Sequence, residues 1–248
     1  MVKIMEKLNK KVFAFDLDGT LTEYRTWISD ENLAVLDMLR ERGIRLIITG
    51  AGRVRRIHNQ LRAYPIDIIG NYGLQYAIYR ENTGVLDLVR NEVMPCDKES
   101  VLNRANRLRD QLGYTDYTGD SVEFHPNGCV TFPLLGTRAA IADKLTYDRD
   151  RSKRREMHKF VAEAFPEYSV FIGGSTSFDL VPMPYNKLYA IDLFCAEEGY
   201  SHAELTYFAD DCDRGGNDEV IFKSDIDSVR VDDYRKLPEI IENYLKTI

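Results

Sequence analysis

A run of apolar residues, Val12-Phe13-Ala14-Phe15, ends abruptly in Asp16-Leu17-Asp18-Gly19-Thr20. An unbroken apolar run closed by a glycine turn reads as a strand buried on both faces, the pattern of a parallel sheet covered by helices. The two carboxylates then emerge at its C-terminal end, where open α/β sheets bind ligands. Two aspartates one residue apart, followed by Gly-Thr, can hold a hard cation and leave one carboxylate free for nucleophilic attack. A solvated turn is the plain alternative, since Asp and Gly are ordinary turn residues.

The pattern continues with a helix through Leu33, Leu36 and Leu39 that stops at Gly43, then an apolar strand over 44–48 ending at Thr49-Gly50. A helix from Val54 to Ala63 and a short strand over 66–69 follow. This β-α-β-α-β order implies parallel pairing with right-handed crossovers. The middle third differs. Two neighbouring strands over 74–80 and 84–89, a helix over 100–112, a hairpin signal at Pro126-Asn127-Gly128, a helix over 151–165 and two further strands break the alternation, and the stretch from about Glu81 to Tyr185 reads as an α+β insert. The alternation resumes at Asn186 with a helix, a strand over 205–209 and a last helix. The expected fold is α/β: a Rossmann-like, doubly wound parallel-sheet core over 1–80 and 186–248, with an inserted α+β cap domain over 81–185.

A chain of 248 residues with 44% hydrophobic and 29% charged residues can bury a good core, and its net charge of −7 argues against broad binding to nucleic acid or anionic membranes. No apolar run reaches the length of a bilayer span, and residues 1–7 lack an apolar signal core. Cys96, Cys129, Cys195 and Cys212 are scattered, so a reduced, cytoplasmic setting is expected. The basic run from Arg149 to Arg155 reads as a solvated helix face.

Four segments should meet at one edge of the core sheet. Asp16 would attack phosphorus, and Asp18 would protonate the leaving oxygen and then activate the incoming hydroxyl. Thr49 and Lys187 would bind the phosphoryl oxygens. A Mg²⁺ ion would take Asp210 and the Asp18 backbone carbonyl as ligands, with Asn217 or Asp218 in support through water.

These motifs, Asp16-x-Asp18-Gly19-Thr20, Thr49-Gly50, Lys187 and Asp210 through Asn217-Asp218, resemble those of the haloacid dehalogenase superfamily of aspartate-nucleophile phosphotransferases. The resemblance implies Mg²⁺ held by Asp16, Asp18 and Asp210. Within the superfamily, Leu21-Thr22-Glu23-Tyr24-Arg25, Val122 through Gly128, Ile172 through Pro182 and Arg214 through Phe222 are similar to the eukaryotic-type phosphomannomutases. That likeness implies that Arg25, Ser177 and Asp179 contact a sugar phosphate, and that the cap forms a homodimer interface. It also marks departures. Where those mutases carry cap arginines for the distal phosphate, this chain has His125 and Thr137, and a third such position falls on Lys144. Arg138, beside Thr137, is the candidate replacement, although a one-residue shift on a strand reverses the face. Gly70-Asn71-Tyr72-Gly73 is similar to a motif of trehalose-phosphate phosphatases. With fewer bidentate phosphate donors, hydrolysis of a phosphorylated sugar is the expected reaction, and a phosphohexose mutase working through a bisphosphate intermediate is the alternative. A non-catalytic sugar-phosphate sensor would not need the nucleophile, acid/base and lysine together.

Overall fold

The computed structural model describes residues 10–248. The expectation of no signal core in residues 1–7 lies outside them. Among the described residues the elements run β1 (Val12–Phe15), α1 (Asp30–Glu41), β2 (Arg45–Thr49), α2 (Val54–Gln60), β3 (Asp67–Gly70), β4 (Gln75–Arg80), β5 (Val85–Asn91), α3 (Lys98–Leu112), β6 (Glu123–Phe124), β7 (Val130–Pro133), α4 (Ile141–Tyr147) and α5 (Ser152–Ala164). They continue with β8 (Tyr168–Gly173), β9 (Ser177–Pro182), α6 (Lys187–Glu198), β10 (Leu205–Ala209), α7 (Glu219–Phe222), β11 (Asp227–Arg230) and α8 (Leu237–Leu245).

The chain divides into two compact units. The first holds the chain through Asn91, Lys187–Cys212 and Asp218–Ile248. Its seven-stranded sheet has the order β11-β10-β1-β2-β3-β4-β5, parallel from β11 to β3 and antiparallel thereafter. The alternation along β1 sets the two layers. Phe13 and Phe15 pack with Leu36 and Leu39 of α1 and with Leu237 and Ile241 of α8. Val12 and Ala14 face the other way, with Ala190, Ile191 and Phe194 of α6. Burying both faces is why this strand carries no polar residue until Asp16.

The β4–β5 hairpin extends this sheet, so the boundary falls between Asn91 and Glu92 and not between 80 and 81. The reason is pairing: β4 hydrogen-bonds to β3 across Ile68–Ala77 and Ile69–Tyr76 and takes β5 with it. The expected helix over 54–63 ends early, because Arg62 and Ala63 adopt left-handed backbone angles (φ 58° each).

The second unit holds Glu92–Asn186 and Asp213–Asn217. Its four-stranded sheet has the order β6-β7-β9-β8, antiparallel throughout. Val130, Phe132, Phe178 and Leu180 pack against Val101, Ala105 and Leu108 of α3 and Val161 of α5. The sequence reading missed α4, a seven-residue helix that buries none of its residues and is too short to show a repeating apolar stripe.

Arg154, read as part of a solvated basic run, is buried. Its Nε donates to Asp148 Oδ2 at 2.7 Å, and its Nη1 donates to the carbonyls of Gly173 (2.8 Å) and Gly174 (3.0 Å). One guanidinium thereby fixes the hairpin from which β9 starts. Arg154→Ala leaves Asp148 buried without its cation, so the expected loss is about 3–5 kcal/mol of stability, read as a lowered midpoint in urea unfolding.

Candidate active site

Parallel strands bring their C-terminal ends to one sheet edge, so Asp16, Thr49 and Asp210, which follow or end β1, β2 and β10, share it by topology. Lys187 opens α6 and is fully buried. Its ammonium lies 2.6 Å from Asp16 Oδ1 and 2.6 Å from Asp218 Oδ1. Gly19 is required here twice over. Its φ of +103° is left-handed, and a Cβ there would fall 2.5 Å from the Asp210 carboxylate. Thr20 Oγ1 donates to Asp210 Oδ1 at 3.2 Å.

Asp16, Asp210 and Asp218 each offer one carboxylate oxygen, and these oxygens lie within 4.8 Å of one another. Asp218 Oδ2 is buried and has no hydrogen-bond partner. An acceptor-only group left bare in a buried acidic cluster fits a hard divalent cation, which prefers oxygen ligands. Among side chains, the grouping adds Asp218 to the expected Asp16 and Asp210; the ligand expected of Asp18 is its backbone carbonyl. Asp218, expected to act only through water, stands with Asp16 and Asp210, whereas the Asp18 carboxylate is engaged elsewhere.

Asp18 accepts from Gln60 Nε2 (2.6 Å), Arg56 Nη1 (3.1 Å) and the Arg25 backbone N–H (2.8 Å). Arg56 and Gln60 lie one turn apart on α2, and Arg56 Nη1 also donates to Gln60 Oε1 at 2.9 Å. The sequence reading passed over both; their i, i+4 spacing opposite a two-aspartate motif was the available signal. Arg25 is exposed, with a left-handed φ of 57°, and holds Asp18 through its main chain.

Electrostatics follow from burial. Desolvation pushes the Asp16 carboxyl well above its ordinary value; Lys187 opposes that shift, while Asp218 and Asp210 add to it. Desolvation also raises Asp218, against the pull of Lys187 and Tyr207. For Lys187 burial works toward a lower pKa, but Asp16 and Asp218 outweigh it and the ammonium is held charged. The Gly70-Asn71-Tyr72-Gly73 turn braces the loop after β2: Asn71 N–H donates to the Gly52 carbonyl (2.8 Å) and Tyr72 N–H to that of Gly50 (3.2 Å). Asn71 and Tyr72 are buried with φ of 49° and 57°, a strained pair at this edge.

The second unit carries the other expected residues. His125 Nε2 lies 2.9 Å from Thr131 Oγ1, which donates to Asp179 Oδ1 over a long 3.5 Å. Asp179 only accepts, so the hydroxyl proton points to it and His125 donates from Nε2. Thr131 was missed; cross-strand register places it opposite both Glu123 and Asp179. Gly173 is the neighbour that lets Asp179 lie where it does, since a Cβ there would meet its carboxylate at 2.5 Å. Ser177 Oγ donates to the Gly173 carbonyl at 3.0 Å. Arg138 is exposed and lies beyond the end of β7, so the strand-face objection to it does not apply. Asn217 lies in the Asp213–Asn217 segment that groups with this unit.

Fold and site define a phosphotransferase of the haloacid dehalogenase superfamily. Residues 13–93 match the model of haloacid dehalogenase-like hydrolases, and residues 102–241 match that of the eukaryotic phosphomannomutases. The second match spans more than half of the 248 residues, and the chain belongs to the eukaryotic phosphomannomutase family. It is 26% identical to the phosphomannomutase of Schizosaccharomyces pombe over 87% of this chain and 86% of that one. It is 23% identical to that of Encephalitozoon cuniculi over 96% of both. Among solved structures, the IMP-nucleotidase of Plasmodium falciparum shares the fold with a TM-score of 0.72 at 13% identity, over 98% of this chain and 70% of that one. A haloalkanoate-superfamily phosphatase from Bacteroides thetaiotaomicron does so with a TM-score of 0.62 at 15% identity over 96% of both. Among the described residues no helix is long and apolar enough to cross a membrane.

The raised Asp16 carboxyl gives a signed pH dependence. Its proton is held more tightly in the folded chain than in the unfolded one, where the ordinary value is 3.8. The stability it contributes is therefore complete below that value and is lost as pH rises through the raised one. A divalent cation bound at Asp16 would take the place of that proton. The gain in Tm on adding Mg²⁺ over EDTA is expected to grow as pH rises above the ordinary carboxylate range, and Asp16→Asn should flatten it.

Proposed function

We propose that the protein is a phosphohexose mutase of the phosphomannomutase type, dependent on Mg²⁺, with Asp16 as nucleophile. The observation that carries this reading is the family match across residues 102–241, which takes in the inserted unit as well as the core's later part. That match is supported by relatives named phosphomannomutase over most of both chains.

Lys187 engages Asp16 Oδ1, which leaves Oδ2 to attack phosphorus. As the new O–P bond forms, the bond from phosphorus to the sugar oxygen breaks, and Asp18 delivers a proton to that oxygen. Gln60, Arg56 and the Arg25 N–H hold Asp18 in place for this transfer. In the second step a sugar hydroxyl gives its proton to Asp18 and takes the phosphoryl group from Asp16. Thr49 and Lys187 stabilise the phosphoryl oxygens throughout. A bound Mg²⁺, held by Asp16, Asp210, Asp218 and the Asp18 carbonyl, would neutralise negative charge on the phosphoryl group. Ser177, Asp179 and His125 are assigned to the sugar phosphate.

A second reading, release of the phosphoryl group to water, is favoured by one observation. The three positions tied by resemblance to distal-phosphate arginines spend their polar groups locally. His125 bonds Thr131, Thr137 Oγ1 accepts from the Asp120 N–H (2.8 Å), and Lys144 donates to the Thr137 carbonyl (3.2 Å).

Phosphorus NMR on mannose-1-phosphate or glucose-1-phosphate with Mg²⁺, with and without a hexose-1,6-bisphosphate, separates the two. Bisphosphate-dependent appearance of the 6-phosphate is the expected result, and free phosphate without it would establish hydrolysis. Either activity should fall at least about 10³-fold in Asp16→Asn and about 10²–10⁴-fold in Asp18→Asn.

A further inference from the structure

Tyr207 is buried in β10, its ring in the apolar layer with Val12, Ala14, Ile191 and Phe194. Its hydroxyl lies 2.9 Å from Thr49 Oγ1 and 2.6 Å from Asp218 Oδ1. It therefore joins the hydroxyl assigned to the phosphoryl oxygens to the carboxylate shared by Lys187 and the acidic cluster.

The proton directions follow from the two ends of this chain. Asp218 Oδ1 also receives the Lys187 ammonium at 2.6 Å, and a carboxylate in that position has no proton to give. The single proton of Tyr207 goes to Asp218, so the proton of Thr49 goes to the Tyr207 oxygen. In that state Thr49 offers only lone pairs to anything else. A phosphoryl oxygen is also an acceptor, and Thr49 binds it only by turning its proton away from Tyr207. The Tyr207–Thr49 contact then persists if Tyr207 turns its own proton from Asp218 to Thr49. That turn breaks the Tyr207 hydrogen bond to Asp218 Oδ1 and leaves two lone-pair-bearing oxygens 2.6 Å apart, so the resting chain of hydroxyls opposes the binding of a phosphoryl oxygen at Thr49.

We propose that Tyr207 is a positioning residue: a hydrogen-bond switch that orients the Thr49 hydroxyl and couples phosphoryl binding at Thr49 to the Asp218 carboxylate. No proton leaves its oxygen; two hydroxyls rotate. Burial, with Asp218 and Asp16 nearby, raises the phenol well above its ordinary value, so it keeps the one proton the switch needs. The inference rests on the phosphotransfer reading of Thr49 and holds whether a sugar or water accepts the group.

The test is a double-mutant cycle on the Kd for inorganic phosphate, measured by calorimetry at saturating Mg²⁺, with thermal melts confirming that each variant is folded. Tyr207→Phe frees the Thr49 proton that the resting chain of hydroxyls holds, so it should tighten phosphate binding about 3–10-fold, the span of one neutral hydrogen bond, and have no effect in a Thr49→Val background. Thr49→Ser, which keeps the hydroxyl, should retain the sensitivity to Tyr207→Phe. An equal change in both backgrounds, or a Kd weakened or unmoved by Tyr207→Phe, would overturn the switch. If the wild type turns over sugar phosphate while the cycle is flat, only this role of Tyr207 falls; if the wild type neither binds phosphate nor turns over, the phosphotransfer reading falls with it.

Discussion

One buried ammonium holds this site together. Lys187 has no solvent exposure, and its charge is carried by Asp16 and Asp218, each 2.6 Å away. An isolated charge at such depth carries a desolvation penalty of several kcal/mol, which only close, well-directed partners offset. The arrangement works in both directions. The two carboxylates keep the lysine charged, and the lysine orients the nucleophile by engaging one of its oxygens. Three clustered carboxylates against one ammonium still leave an excess of negative charge, which adds to the burial that raises Asp16. A divalent cation is the chemistry that such an excess selects.

The sheet supplies the frame. Parallel strands deliver Asp16, Thr49 and Asp210 to the same edge with no long-range search in the loops, and Gly19 lets the first loop pass tightly against Asp210. Around that frame lies a shell of polar groups from α2 and β10. Gln60 and Arg56 hold Asp18, and Tyr207 spans Thr49 and Asp218. Such a shell fixes rotamers within a fraction of an ångström, which is what an in-line displacement demands. The second unit has its own polar row, His125–Thr131–Asp179, where the family resemblance leads one to expect arginine. A histidine donates one hydrogen bond where a guanidinium fork donates two.

The apolar run before Asp16 and the glycine punctuation after it determined the α/β class, the parallel core and the segments that reach its edge, because strand burial and turn chemistry are local properties. The same locality made Asp16, Thr49, Lys187 and Asp210 legible as a set. It failed where pairing or burial is settled at a distance. The β4–β5 hairpin joined the core sheet through hydrogen bonds to β3, and Arg154 left its basic run to neutralise Asp148. The company kept by Asp18, the entry of Asp218 into the acidic cluster and the bridge made by Tyr207 were decided only by the tertiary structure. Each depends on which polar groups end up within about 3 Å of one another in a buried space, and sequence spacing carries no record of that distance.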